Sequence, residues 1–279
     1  MFSIQSRLRY KQRRKGNGME GHPLRMLSVV IPCFNEERNI DACLKSVSWA
    51  DEIFVVDSYS TDRTLEIARR HTDHILQHEY INSAAQKNWA IPQALHDWVL
   101  IVDCDERVTP ELRSEISQIL AQNPSKDGYW IRRKNYLFGK EVRHSGWGTD
   151  RVLRLFRRDL GRYKEKRVHA EIEIENSGML NGFLEHHSVS SLSDWMNKIN
   201  RYSSWKAQDK FEKGLSTPIL HMVVRPPIRF SKDYILRLGV LDGWRGFLIA
   251  SMSAFAELVM SAKIVQLSFE KGRGRNNSS

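Results

Sequence analysis

Apolar positions in the first half of the chain fall into short runs of strand length, each followed by a polar loop and a segment of helical spacing. Leu27 to Pro32 is a β-branched apolar run that reads as a buried strand. Arg38 to Val47 reads as a helix, with Ile40, Leu44 and Val47 on one face. Asp51 to Asp57 is a second buried strand and Arg63 to His71 a second helix. Asp73 to Gln77 predicts a short third strand, Ser83 to Leu95 a helix, and Trp98 to Val102 a fourth strand. Strands alternating with helices imply an α/β fold with a mainly parallel sheet and right-handed crossovers.

The second half is patterned differently. Gly128 to Ile131 and Val152 to Phe156 read as strands, with Arg132 to Arg143 a basic loop or hairpin between them. From Ser191 the alternation stops. Leu192 to Lys213 predicts one helix bearing Trp195, Ile199, Tyr202 and Trp205. Ile219 to Val224 is apolar, and Pro226-Pro227 is expected to break it. Val240 to Ala262 has amphipathic helical spacing, interrupted by Asp242, Arg245 and Glu257. No run of 18 uninterrupted apolar residues occurs, so no spanning helix is expected. This last segment either packs on the rest of the protein or lies in a membrane interface. Arg225, Arg229, Lys232 and Arg237 favour anionic lipid in the second case.

Charge divides the chain in three. The formal net charge is +10, but residues 26–190 hold 22 Lys/Arg against 25 Asp/Glu. Residues 1–25 hold seven Lys/Arg and one acid, and residues 191–279 hold 14 against seven. The expected organisation is a disordered basic tail (1–25), an α/β domain (26–190) and a helical C-terminal extension (191–279). The N-terminal stretch lacks the apolar core of a signal peptide. Three cysteines without a C-x-x-C pair argue against a disulfide framework or zinc site and fit a reducing compartment.

Candidate chemistry gathers where strands end, as ligands do in open α/β sheets. Asn35 and Glu36 follow the first strand, Asp57 and Asp62 mark the second, and Asp103-Cys104-Asp105-Glu106 closes the fourth. Two Asp at i and i+2 beyond a buried strand can offer oxygens to one hard cation, Mg²⁺ or Mn²⁺. The plainer reading is an acidic turn capping the next helix. Thr109-Pro110 already supplies that helix with an N-cap and a first-turn proline. No G-x-G-x-x-G follows the first strand and no G-x-x-x-x-G-K-[ST] occurs, which argues against dinucleotide and P-loop sites.

The segments SVVIPCFNEERNI, DEIFVVDSYSTDRTLEIA, AAQKNWAI and DWVLIVDCDERVTPEL together resemble glycosyltransferase family 2 and its nucleotide-sugar-binding GT-A fold. D-S-x-S-x-D-x-T, A-Q-K-N-W-A and D-x-D-E are more narrowly similar to the bacterial lipopolysaccharide-core β-1,4-glucosyltransferase group. A looser likeness continues through WGTDRVLRLFRRD and VHAEI. The resemblance implies that Pro32, Asn35 and Glu36 line the uridine side and that Asp57 holds base or ribose. Lys87 would face the donor; otherwise it is an exposed helix lysine. Asp103 would touch ribose or metal-bound water, and Asp105 would be the direct metal ligand, with His169 a candidate for metal or diphosphate. Family members invert at the anomeric carbon by one displacement, so the acceptor hydroxyl needs a carboxylate base. Asp150 is the first candidate and Glu171 the second. Relatives often show V-H-E where this chain has V-H-A-E, which displaces the acid by one position. A divalent metal would neutralise charge developing on the UDP leaving group.

The expected activity is transfer of a hexose, glucose from UDP-glucose first among them, to a lipopolysaccharide-core or related glycolipid. The enzyme would be cytoplasmic and peripheral at the inner membrane's cytoplasmic face. Polyprenyl phosphate or a peptide side chain are alternative acceptors. The basic ends raise a nucleic-acid-binding or scaffold role as a competing class, against which the acidic, motif-bearing middle argues.

Overall fold

The computed structural model describes residues 25–164, 171–189, 191–214 and 218–276. Most of the tail expected at 1–25, together with His169, lies outside the described residues. Three parallel strands make the first half of the sheet: β1 (Leu27–Cys33), β2 (Glu52–Asp57) and β3 (Ile75–Gln77). β4 (Trp98–Ile101) joins the other side of β1, also parallel. Helices α1 (Ile40–Ser46), α2 (Thr64–Ala68) and α3 (Ser83–Ala90) connect them. α3 is shorter than its apolar spacing predicts, because the chain tightens into a 3₁₀ turn, Ile91–Gln93, containing Pro92. Proline has no N–H to continue the α-helical ladder.

Successive residues of β1 face opposite sides, and both sides are dry. Val29 and Ile31 join the core with Leu44, Leu100 and Leu112, while Val30 joins Phe54, Val56, Ile101 and Phe156 on the other face. That is why β1 reads as a continuous apolar run rather than an alternating one. The register sets Cys33 beside Asp57 and Asp57 beside Gln77. The polar strand ends therefore lie along one edge.

β5 (Glu106–Val108) and α4 (Pro110–Ala121) follow the acidic loop. Thr109 caps α4 by accepting from Leu112 N at 3.3 Å, as the sequence predicts. The second half of the sheet is mixed: β6 (Gly128–Leu137), β7 (Lys140–Val142), β8 (Arg151–Arg157) and β9 (Ser177–Val189). Its order is β3-β2-β1-β4-β8-β6-β9-β5, with β7 on β6. The basic stretch after Ile131 is thus a hairpin, turning at Phe138 and Gly139 with φ of +47° and +73°. Gly182 of β9 allows α4 to approach; a Cβ there would lie 2.5 Å from Leu112 Cα.

The C-terminal helices are α5 (Leu192–Glu212), α6 (Pro218–Ser231) and α7 (Trp244–Asn276). α6 corrects the expected break, since it runs through Pro226 and Pro227. Each proline removes one helical donor, but α6 packs extensively along α7, and that contact outweighs local preference. A π turn, Lys232–Leu236, follows α6, and a 3₁₀ turn, Gly239–Asp242, precedes α7. The expectation of no spanning helix also changes. The 27 residues Trp244–Glu270 are long and apolar enough to cross a membrane by length and composition, despite their scattered charges. Here the helix packs against α5 and α6. Asp242 fastens this unit to the sheet by accepting from Arg143 N (3.2 Å) and His144 N (2.8 Å). Arg245 Nε donates to Leu137 O at 3.0 Å.

Candidate active site

The loop after β1 and the loop after β2 hold each other. Asn35 sits in the left-handed region with φ +53°. Its Oδ1 accepts from Thr61 N at 2.8 Å and its N–H donates to Ser60 Oγ at 2.9 Å. Asp57 is fully buried. It accepts from Ser60 N (3.0 Å), Gln77 Nε2 (2.9 Å) and the Ser60 hydroxyl. With Cys33 Sγ also 3.6 Å from Oδ1, both oxygens are engaged. In this arrangement Asp57 organises the two loops. Asp62 caps α2 through Thr64 N at 3.0 Å and braces Glu37 N at 3.1 Å. Pro32 is the penultimate residue of β1, and its carbonyl accepts from Cys104 Sγ at 3.5 Å. Burial raises the Glu36 carboxyl above its usual range, the hydrogen bond from Asn39 opposes this, and Asp105 adds to the rise.

The acidic loop separates into two environments. Lys87, buried rather than exposed on its helix, places Nζ 2.9 Å from Asp103 Oδ1 and 5.4 Å from the Tyr163 ring centre. Arg154 Nη2 takes Asp103 Oδ2. Burial disfavours the Asp103 carboxylate, but Arg154 and Lys87 outweigh it and hold the group far below the carboxylate range. Both Asp103 oxygens are thus engaged by cations in this arrangement. Arg154 is likewise committed internally, since it also lies 2.9 Å from Glu106 Oε1 and is not open to phosphate. Asp105 faces the other way, toward β9 and α5. Its Oδ2 is 3.6 Å from His186 Nε2 and 3.8 Å from Lys198 Nζ. Burial works to raise Asp105, yet His186 and Lys198 prevail and lower it to about 2.

A chain of polar contacts joins the two environments. Glu106, fully buried, meets Arg133 Nη1 at 3.2 Å. Arg133 Nη2 reaches Asp150 Oδ2 at 2.6 Å and its Nε the same oxygen at 2.8 Å. Asn135 Nδ2 donates to Trp147 O (2.7 Å) and to Asp150 Oδ2 (3.3 Å). Asn135 Oδ1 then lies 2.6 Å from His186 Nδ1. The amide oxygen accepts, so Nδ1 carries a proton, and the ring is held with Nε2 toward Asp105.

His186 is the residue that sequence reasoning missed. Leu180, Gly182 and Leu184 are the buried alternate positions of β9, so period two puts His186 on the same face. Glu106 and His186 are paired across β5 and β9, which brings the histidine to the acidic loop. Glu171 is exposed, and its backbone carbonyl accepts from Lys164 N at 3.1 Å. None of the described contacts brings its side chain to this network.

Among the described residues no three His, Cys, Asp or Glu side chains converge to hold a metal. Asp105 and His186 nevertheless fit as two ligands of one divalent ion. Their facing atoms are too far apart for a hydrogen bond, and Mg²⁺-type sites take few protein groups, completing their shell with water and substrate phosphate. A cavity of about 340 Å³ opens here, lined among others by Asn35, Glu36, Asp62, Asp105, Lys198 and Arg201.

The sequence profile described as "Glycosyl transferase family 2" matches residues 28–179. The chain belongs to glycosyltransferase family 2. This family 2 enzyme is 32% identical over 260 residues to the lipopolysaccharide core biosynthesis glycosyltransferase LpsC of Rhizobium meliloti (strain 1021), with 88% of this chain and 94% of that one covered. An uncharacterized glycosyltransferase of Rickettsia typhi (strain ATCC VR-144 / Wilmington) is 27% identical over 88% of this chain and 89% of its own length. Among solved structures, the mannosyltransferase PcManGT of Pyrobaculum calidifontis, in complex with GDP-Man and Mn²⁺, superposes with a TM-score of 0.50. It is 16% identical and covers 94% of this chain and 95% of its own, a likeness that bears on the fold alone. The fold of this glycosyltransferase is GT-A: a mixed sheet with flanking helices.

Proposed function

We propose that the enzyme transfers a hexose, glucose from UDP-glucose first among candidates, with inversion, onto a lipopolysaccharide-core or related glycolipid. Residues 26–190 would form the catalytic domain, and the C-terminal helices an extension at the cytoplasmic face of the membrane. The observation that carries this reading is the division of the acidic loop. Asp103 is neutralised by Lys87 and Arg154, while Asp105 lines a polar cavity and has His186 Nε2 3.6 Å from its Oδ2. The likeness to LpsC along most of both chains supports the acceptor class.

The nucleoside would rest on the Pro32–Glu36 loop, shaped from below by Asp57. Asp105 and His186 would hold Mg²⁺ or Mn²⁺, whose chemistry is to neutralise charge on the leaving diphosphate. Lys198 and Arg201 add positive charge to the same cavity. Asp150 would act as the base. Among the described residues its three donors, Arg133 Nε, Arg133 Nη2 and Asn135 Nδ2, converge on Oδ2 and leave Oδ1 clear of them. One oxygen anchors the carboxylate, and the other receives the acceptor proton.

The test is nucleotide release from a panel of UDP-, GDP- and dTDP-sugars with Mg²⁺ or Mn²⁺, with and without a core-lipid extract, beside Asp105→Ala. Acceptor-stimulated release of UDP from one sugar, lost in the variant, is the expected result. No release from any donor, together with no nucleotide binding by calorimetry, would refute the reading.

A further inference from the structure

A second cavity, of about 390 Å³, lies between α5 and α7 and belongs to neither the nucleotide loops nor the acidic loop. Trp195, Lys198, Ile199, Tyr202 and Lys206 line it from α5. Their spacing of three and four residues presents one helix face. Glu257 and Met260 of α7 form the opposite wall, and Trp147 closes one end with its ring centre 6.2 Å from that of Trp195. Its size is that of a pocket for a small ligand.

Three features decide what it takes. First, it shares Ser188 and Lys198 with the 340 Å³ cavity that contains Asp105. Lys198 Nζ donates to Ser188 O at 2.7 Å and lies 3.8 Å from Asp105 Oδ2, so one side chain separates the two spaces. Second, Glu257 Oε2 is shut off from solvent and has no hydrogen-bond partner among the described residues. A buried acceptor left open costs free energy unless a ligand donates to it. Third, the half-buried Trp147 and Trp195 offer flat apolar faces beside two lysines. An acyl chain would use the rings but give Glu257 Oε2 no hydrogen-bond donor. A saccharide stacks its C–H faces on indole and donates hydroxyls to a carboxylate, and Lys198 and Lys206 suit an anionic group on the same sugar.

We infer that this cleft binds the saccharide of the acceptor, with Trp195 as its stacking platform and Glu257 as its hydroxyl acceptor. The inference rests on the glycosyltransferase reading above and adds where the second substrate sits. Specificity for the acceptor then resides in α5 and α7, outside the profile-matched region 28–179.

The experiment measures binding of delipidated core oligosaccharide to the full chain with UDP and Mn²⁺ present, by calorimetry and tryptophan fluorescence. Trp195→Ala should weaken oligosaccharide binding at least about tenfold, with Trp195→Phe recovering part of it. Glu257→Gln should weaken it severalfold and leave UDP affinity within about twofold of the parent. If Trp195→Ala does not fold, Glu257→Gln and Lys206→Met decide the matter. Unchanged oligosaccharide affinity in the folded variants overturns the inference. So does a parent enzyme that transfers sugar to intact glycolipid but does not bind the delipidated oligosaccharide. A parent enzyme that neither binds nor turns over any nucleotide sugar fails at the earlier reading instead.

Discussion

Asn135 Oδ1 lies 2.6 Å from His186 Nδ1, and this contact decides which nitrogen the histidine turns toward Asp105. Because Asn135 spends its amide N–H groups on Trp147 O and Asp150, it has only an acceptor left for the ring. His186→Ala should therefore weaken Mn²⁺ binding in the presence of UDP, and Asn135→Ala should do so by about 10- to 100-fold through loss of ring orientation. Titration followed by the electron paramagnetic resonance of free Mn²⁺ reads this without turnover. Equal Mn²⁺ affinity in both variants and the parent would remove His186 from the site.

Arg154 bridges Asp103 and Glu106 inside the protein. Glu106 has no exposure at all, so removing the guanidinium leaves a buried carboxylate whose remaining described partners are Arg133 and the Asp103 N–H. Arg154→Met should lower unfolding free energy by about 3–5 kcal/mol, the usual cost of breaking a buried pair. Urea denaturation at neutral pH measures it. A loss below about 1 kcal/mol, the range of exposed pairs, would mean that the network is wetter than its burial indicates.

Glu52 supplies a pH-dependent increment of stability. Burial pushes its carboxyl upward, but hydrogen bonds from His74, Ser28 and Leu95 N reverse that and leave it lowered. The contribution is complete above the unfolded carboxylate's value of about 4.3 and is lost as pH falls through the lower folded value. The stability gap between the parent and Glu52→Gln should thus be constant from neutral pH down to about 5 and shrink below about 4. A gap that stays level across the whole acid limb would show that the carboxylate's charge is irrelevant.

The face made by α6 and the turns after it is both apolar and basic. Val223, Leu236 and Leu241 are 65%, 76% and 65% exposed, and Arg225, Arg229 and Lys232 lie among them. Such a surface suits an anionic bilayer. Flotation with vesicles rich in anionic lipid should carry the enzyme upward at low salt. High salt, or the pair Leu236→Asp with Leu241→Asp, should leave it at the bottom. A parent protein that stays at the bottom at low salt would dismiss this surface as a lipid contact.

The parallel half of the fold was legible because its strands are buried on both faces, and runs such as Leu27–Pro32 have no other reading. The loops after them were legible because Asn35, Asp57 and Asp103 stand where the strands end. Less legible were contacts made across the sheet. Nothing near Lys87 in sequence shows that Asp103 would draw it inward, and Arg154 lies 51 residues from the carboxylate it meets. His186 was hidden for another reason: β9 has Gly178 and Gly182 on its inward positions and Met179 and Phe183 on its outward ones, which conceals the alternation leading to it. The Pro226-Pro227 break failed because local backbone preference cannot weigh the contact between α6 and α7.

The acidic loop stands between the parallel half of the sheet on one side and β9 with α5 on the other. Asp103 is held by Lys87 from the parallel half and Arg154 from β8, whereas Asp105 answers to His186, Lys198 and, through its carbonyl, His187 N at 2.7 Å. Every partner of Asp105 named here lies beyond residue 185. A chimera that kept the first 180 residues and borrowed its remainder from a relative would inherit foreign surroundings for Asp105. Exchanging the tail of this enzyme to redirect its second substrate would therefore also retune the carboxylate beside its first.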